Sequence, residues 1–570
     1  MVTLRADGSW PSIDYQEQRR SAWTPVGHLG NVLLMARAYR SAGSKLSGST
    51  ELQNALDAAL DYWLEHDFQN SNWWWNQIGV PRSLAPVLLL MEDELSDAQR
   101  GKGLEILRRA RIGMTGQNLV WVTEITALRG ILEQDPKLVA SAYRRIAEEI
   151  RVDMKEGIQP DFSFHQHGPC LYSHGYGAAF AVDCSRIAMQ VAGTRLAFPP
   201  EKITLLSSLL LDGSQWMSRG GTSDFGAEGR EISRKGQDAG YLATAARNML
   251  ELPTGREDEF RALAGRASDG PAPPLEGNRH FWRSDVMTHH RADYYTSARM
   301  FSSRIANTDD PCNSEGLRSH HIADGCNVLV RTGNEYRDVF PVWDWQKIPG
   351  TTVEQKEQLT GSPRTLGKKS FVGGVSDGVY GLAAFDLVRG ALSARKSWFF
   401  FDREYVCLGA GITCGSENPV VTTLNQCNLR GSVSARNASQ VQELASGVHS
   451  LDSPAWVWHD SIGYVFLGPA RIGLANQLQR GNWWRINHRY AKDEVAREMF
   501  TAWIEHGSAP GGVSYAYIVV SGVDRASVET YATAPPLDIV ANRAGLQAVW
   551  HAGLNVLGGA FYDPGQLEIR

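Results

Sequence analysis

ASDGPAPPLEG, residues 267–277, is the stretch on which the reading of the fold turns, because the chain changes texture across it. Its prolines lack a backbone donor and its glycines have no settled φ, so the segment reads as a connector and marks the domain boundary. On its N-terminal side, from about residue 28 to 265, helical stretches follow one another across short loops. Examples are HLGNVLLMARAYRSA (28–42), ELQNALDAALDYWLEHDF (51–68), TEITALRGILEQ (123–134), VASAYRRIAEEI (139–150) and ITLLSSLLLDGSQWM (203–217). Their apolar residues recur at three- and four-residue spacing, the mark of amphipathic helices. Antiparallel helix pairs closing into an incomplete (α/α) toroid fit this pattern, and so does a solenoid, which periodicity alone does not separate from it. On the C-terminal side the runs are short and alternating, as in SWFFFDREYVCLGAGI (397–412), IGYVFLGPARIG (462–473) and VSYAYIVVSG (513–522). These predict an antiparallel β-sandwich. The expected class is α+β and multidomain: residues 1–266 helical, 267–277 linker, 278–570 β-sandwich. A chain of 570 residues also exceeds the roughly 250–300 at which one core stops growing.

Composition narrows the partners. A net charge of −5 argues against a general nucleic-acid binder, so a polyanionic ligand would need a local basic cleft. No run of about 18 apolar residues is present, so no membrane span is expected. Met1-Val2-Thr3-Leu4-Arg5 leads into Asp7-Gly8-Ser9-Trp10 without an apolar core, so no secretion signal is visible. The seven cysteines form no metal-type CxxC pair, and their odd number leaves at least one thiol free if the others are bridged. The 18 tryptophans are unusual, and several cluster.

Chemistry-bearing residues concentrate in DFSFHQHGPCLYSHGYGAAF (161–180). With Gly168, Pro169, Gly175 and Gly177 shaping loop and turn, the imidazole of His167 and the phenol of Tyr176 can converge on one substrate atom. In GREISR (229–234), Arg230 and Arg234 lie four residues apart and suit an anionic substrate, although Glu228 and Glu231 would make an ordinary charge cluster with them. MTGQN (114–118) sets Asn118 at an expected helix start, where amide donors bind a carboxylate. NWWWN (72–76) holds three consecutive tryptophans that cannot all face one core, so at least one is expected at a surface, where indole faces stack on sugar rings. His165, His167 and His174 lack the carboxylate or Cys that would complete a zinc spacing, and His289-His290 and His320-His321 are weaker ligand pairs still. Glu315 reads either as a loop carboxylate or as the group that orients an Arg or the His. The sequon Asn437-Ala438-Ser439 carries no weight.

Taken together, these blocks resemble polysaccharide lyase family 8, the chondroitin AC lyase, hyaluronate lyase and xanthan lyase group, and the chondroitin-cleaving members above all. The motifs that carry the resemblance are DGSW (7–10) with Tyr15, NWWWNQIGVPRSL (72–84), TGQN (115–118), SFHQHGPCLYSHGYG (163–177), GREISR (229–234), NSEG (313–316) and EYRDVFPVWDWQKIPGTT (335–352), in an order spanning nearly the whole chain. The resemblance implies the toroid and the antiparallel sheets. It implies Asn118 as the carboxylate-binding amide, His167 and Tyr176 as the catalytic pair, Arg230 and Arg234 as active-site cations and Glu315 as their support. It also implies a substrate-binding patch at Trp73 and Trp74, with Trp75, Asn76, Gln77 and Trp121 counted alongside. Gln77 stands where many members are acidic, and members usually continue into a further small β-domain.

The implied reaction is β-elimination on a uronate: a proton leaves C5, the bond from C4 to the glycosidic oxygen breaks, and a 4,5-unsaturated uronate results. No metal or organic cofactor is required, though a structural cation remains compatible. The expected partner is an anionic polysaccharide, with no nucleic acid and no membrane, acted on by a monomer that is secreted or periplasmic in a bacterium. Chondroitin sulfate and hyaluronan lead the expected substrates, ahead of xanthan and dermatan. Tyr176 is expected to be the base, its pKa of about 10 lowered by Arg230 or Arg234. Two rivals stand beside this reading. One is an (α/α) glycoside hydrolase using two of Asp161, Asp224, Glu228 and Glu315. The other is a polysaccharide-binding protein without turnover.

Overall fold

The computed structural model describes residues 4–359, 363–437 and 440–568. Met1–Thr3, Ala438 and Ser439 of the sequon, and the two C-terminal residues lie outside the described residues. Eleven α-helices are described, ten of them before residue 268, and strands dominate from Gly277 onward. The chain divides into two compact units, residues 1–152 with 179–206, and residues 153–178 with 207–570. The change of secondary structure at 267–277 and the division into units therefore fall at different places.

The first unit is helical. Helix Thr50–His66 starts at Ser49, whose side chain accepts from the Leu52 amide, and it ends at Asp67 in a left-handed conformation. Its Leu52, Leu56, Leu60, Trp63 and Leu64 are all buried, as their spacing requires. Ahead of it, the DGSW motif has a structural task. The Trp10 amide donates to the Tyr15 hydroxyl, that hydroxyl meets His28 Nδ1 at 2.9 Å, and Trp10 sits edge-on to the His28 ring. Helix Gly116–Leu132 turns through Glu133–Asp135 into helix Pro136–Glu149, capped by the Asp135 carboxylate. Gly130 lets the two helices approach, since a Cβ there would stand 2.9 Å from Val139 Cγ2.

In the second unit, four antiparallel strands, Gly277–Phe281, Val286–His290, Tyr295–Arg299 and Cys326–Val330, form a meander. A nine-stranded and a five-stranded sheet follow, then three strands between Leu537 and Phe561. In the nine-stranded sheet, Leu392–Phe400 pairs with Glu404–Cys414 in the register Trp398 to Cys407. Trp398, Phe400, Tyr405 and Cys407 face a core shared with Ile472, Leu474, Phe500 and Ile504 of the five-stranded sheet. The alternate residues Phe399, Val406 and Leu408 face a second core, shared with Val528 of helix Arg525–Thr533 and with Leu537, Val549 and Ala560 of the last sheet. The sandwich therefore carries a third layer. A strand buried on both faces is apolar at consecutive positions, which accounts for the run SWFFF. Among the described residues, no helix is long and apolar enough to cross a membrane.

Candidate functional site

Within the second unit, His167, Tyr176, Arg230, Arg234 and Glu315 come together. His167 stands in the left-handed region at φ 62. The peptide group that follows it is held at both its polar atoms: the His167 carbonyl accepts from the Arg364 guanidinium, and the Gly168 amide donates to Glu156 at 2.6 Å. Tyr176 opens helix Tyr176–Val191, its ring edge-on to His167 at a centroid distance of 4.9 Å and edge-on to Tyr172 at 5.1 Å. Tyr172 is fully buried beneath the pair. It fits because Gly175 and Gly229, both at positive φ, flank its ring: a Cβ on either would come within 2.7 Å and 2.5 Å of ring carbons. The glycines that read as turn-formers are thus also the walls of a slot.

The arginines rise from the short turn Gly229–Ser233. Arg234 is gripped by Glu315 through Nε at 3.2 Å and Nη2 at 2.8 Å, and it reaches Glu231 at 2.9 Å. Arg230 donates to Asp309 at 2.9 Å and lies 3.6 Å from Glu315. Arg230 is only 6% exposed, so this is a buried network and not the solvated cluster that Glu228 and Glu231 would have made. Glu228 in fact turns away to Ser223, and burial pushes its carboxyl up to about 8. Burial also opposes the charge on Glu315, but Arg234 and Arg230 outweigh it and hold the group below its ordinary range. Asn487 completes the wall by donating to both Glu315 and Ser233.

One expectation needs correction here. Tyr176 is not lowered: burial dominates and pushes the phenol up to about 12, Arg230 and Arg234 pull it down, and Glu231 and Asp309 add to the rise. Of the two roles open to Glu315 the structure shows the one on the arginines, while the carboxylate on the histidine is Asp309, both of whose oxygens lie 3.2 Å from His167 Nδ1. The other histidines of the motif have separate tasks. His165 meets Ser284, while His174 meets the Met217 carbonyl and Tyr241.

The remaining candidates belong to the first unit. Asn118 sits in the first turn of helix Gly116–Leu132, where the Gly116 amide already donates to Glu149 at 2.6 Å. An internal carboxylate therefore occupies that helix terminus, and what Asn118 offers is its side chain, whose buried Oδ1 has no hydrogen-bond partner among the described residues. Gln117 and Trp121 both donate to Asp183, at 2.7 and 2.9 Å, and Arg82 pairs with Asp183 while lying over the Trp121 ring. Trp74 stands edge-on to Trp75 and Trp121. Trp73 is 46% exposed, as three consecutive tryptophans require of at least one. Trp75 and Asn76 are tied into the fold, the first through the Arg20 carbonyl and the second through the backbone of Asn70, and Gln77 is half-buried beside them. Asp183 and Asp309 were invisible to sequence reasoning, because each takes its meaning from partners far along the chain.

Models of the polysaccharide lyase family 8 N terminal alpha-helical domain and super-sandwich domain match residues 3–264 and 276–532. A chondroitinase-AC of Pedobacter heparinus is 34% identical over 585 residues, covering 100% of this chain and 82% of that protein. This chain belongs to polysaccharide lyase family 8. A hyaluronate lyase of Thermasporomyces composti is 27% identical over 98% of this chain and 79% of its own. A solved chondroitinase AC lyase, studied with bound oligosaccharides, superposes with a TM-score of 0.95 at 32% identity, covering 100% of this chain and 86% of that one. Helices followed by antiparallel sheets are thus the family architecture, and the protein is a polysaccharide lyase.

Proposed function

We propose that this lyase cleaves chondroitin sulfate and hyaluronan by β-elimination at the uronate, with Tyr176 as the group that moves the proton. The observation that carries the reading is the packing of one phenol and one imidazole edge to edge beside two carboxylate-anchored guanidiniums, one buried and one half-buried. A proton beside a carboxylate is barely acidic, because its loss puts a second negative charge on the same group. His167 serves to stabilise that growing charge, and a donor already aimed at it acts most strongly in a dry cleft. In glucuronate the C5 proton and the leaving oxygen lie on one face, so Tyr176 takes the first and returns it to the second. For iduronate the proton lies on the opposite face, and His167 takes the role of base. Trp73 and Trp74, with Trp121 behind them, offer the sugar rings a stacking surface. The chemistry uses only these side chains, and a polymer substrate fits a monomeric enzyme working in the periplasm or outside a bacterial cell.

The hydrolase rival loses its carboxylates to the fold. Asp161 is taken by Ser163 and Arg283, Asp224 by Tyr295 and Ser297, Glu228 by Ser223 and Glu315 by Arg234. The test is ultraviolet absorbance of the unsaturated product on chondroitin, dermatan, hyaluronan and xanthan. The expected result is a rise on chondroitin and hyaluronan ahead of the other two. Binding with no rise on any polymer would favour the non-catalytic alternative.

A further inference from the structure

One buried carboxylate in the cluster has no role in the elimination as described above. Asp309 has a side chain only 1% exposed, yet it stays charged: burial pushes its carboxyl up, and the His167 hydrogen bond with the Arg230 charge more than reverses this. An ionised carboxylate only accepts, so the hydrogen bonds at 3.2 Å require His167 Nδ1 to donate. Arg364 and Glu156 hold the peptide group that follows His167, which leaves the rotation of its side chain and the choice of tautomer to be set by other groups. Tyr172 and Tyr176 bound the rotation with their ring edges. Asp309 sets the tautomer.

Resting on the lyase reading, we infer that Asp309 is a positioning residue. It keeps a proton on His167 Nδ1 whether the ring is neutral or charged, reserves Nε2 on the far side of the ring for the uronate, and anchors Arg230 through the same carboxylate. Which nitrogen of a histidine meets the substrate is set by the bond the other one makes. A carboxylate that holds a catalytic histidine in this way acts on turnover more than on substrate affinity.

The experiment uses the full chain labelled with ¹⁵N-histidine, the His167 signals being identified by their loss in His167→Gln. In the wild type, two-bond proton–nitrogen spectra are expected to show Nδ1 protonated. In Asp309→Asn the amide can donate to Nδ1, so the neutral ring should shift its proton to Nε2. With that shift, kcat should fall about 100-fold while KM changes less than about threefold, and Asp309→Glu should recover part of the loss. A wild-type ring carrying its neutral proton on Nε2 overturns the inference without need of any variant. So does an Asp309→Asn protein that is folded by circular dichroism and keeps either the wild-type tautomer or the wild-type kcat. Wild-type protein with no elimination activity would instead overturn the lyase reading, while the spectra still decide whether Asp309 sets the tautomer.

Discussion

The two clusters of candidate residues are built on opposite principles. Around Arg230 and Arg234 the charges are paired and largely buried: Asp309, Glu231 and Glu315 take up the guanidiniums, Arg234 alone being only half-buried, and Asn487 braces Glu315 in turn. Around Trp73, Trp74 and Trp121 the surface is aromatic, with Trp73 exposed and the Asp183 carboxylate fastening Gln117, Trp121 and Arg82. A buried ionic network fixes geometry and is sensitive to the loss of a member, because a buried charge that loses a partner is costly. A set of indole faces tolerates loss, because each contributes separately. The first arrangement suits bond-making and the second suits gripping a polymer.

The comparison breaks first, if it is wrong, at Tyr176. Tyr176→Phe removes only the hydroxyl, so turnover should fall by at least about 1,000-fold with substrate affinity nearly unchanged, as measured by single-turnover kinetics and by binding to oligosaccharide. Wild-type-like rates would remove the phenol from the mechanism. Glu315→Gln should come next. It takes one charge from between two arginines that keep Asp309 and Glu231 as their other partners, so kcat should drop about 100-fold and the protein should also melt earlier, because Glu315 is the carboxylate that ties the two guanidiniums together. A variant that loses activity at an unchanged melting temperature would mean that Glu315 is not holding the network together.

The pH dependence sharpens the contrast. With the phenol pushed up to about 12 by burial, the reactive phenolate is a minor form at neutral pH. Its fraction gains tenfold per pH unit below that value, so kcat/KM should climb with pH at close to that slope above neutrality. A flat profile from about pH 7 upward would show that the base titrates lower than its surroundings dictate. Smallest of all should be Trp73→Ala. Loss of one exposed stacking face should raise KM about three- to tenfold and leave kcat within about twofold. A large fall in kcat there would erase the distinction between the two clusters.

Much of this was legible before any coordinates. The helical periodicity, the breaker at 267–277 and the alternating runs beyond it are local properties, and local spacing is what sequence displays. His167 and Tyr176 were found because glycines and a proline punctuate the segment that carries them, and glycines 175 and 229 proved to be needed by the Tyr172 ring between them. What sequence hid was long-range. Asp309 meets His167 across 142 positions of chain and Asp183 meets Trp121 across 62, so no local spacing tied either carboxylate to its ring. Glu149, which caps the helix carrying Asn118, is 33 positions from Gly116. The third layer on the nine-stranded sheet was missed for a different reason. Consecutive apolar residues at 398–401 already implied burial of both faces, but the helix Arg525–Thr533 that covers one of them is short and polar on most of its surface. The expected lowering of Tyr176 failed because charge proximity was weighed without burial, and burial is the larger effect.

The central claim is that bond cleavage proceeds by elimination and not by addition of water, and the masses of the products test it most directly. Purified enzyme digesting an even-numbered chondroitin oligosaccharide should yield a fragment from the new non-reducing end that is one water lighter than a saturated fragment of the same length, with Tyr176→Phe yielding none. Fragments that all carry the full mass of a saturated oligosaccharide would contradict it.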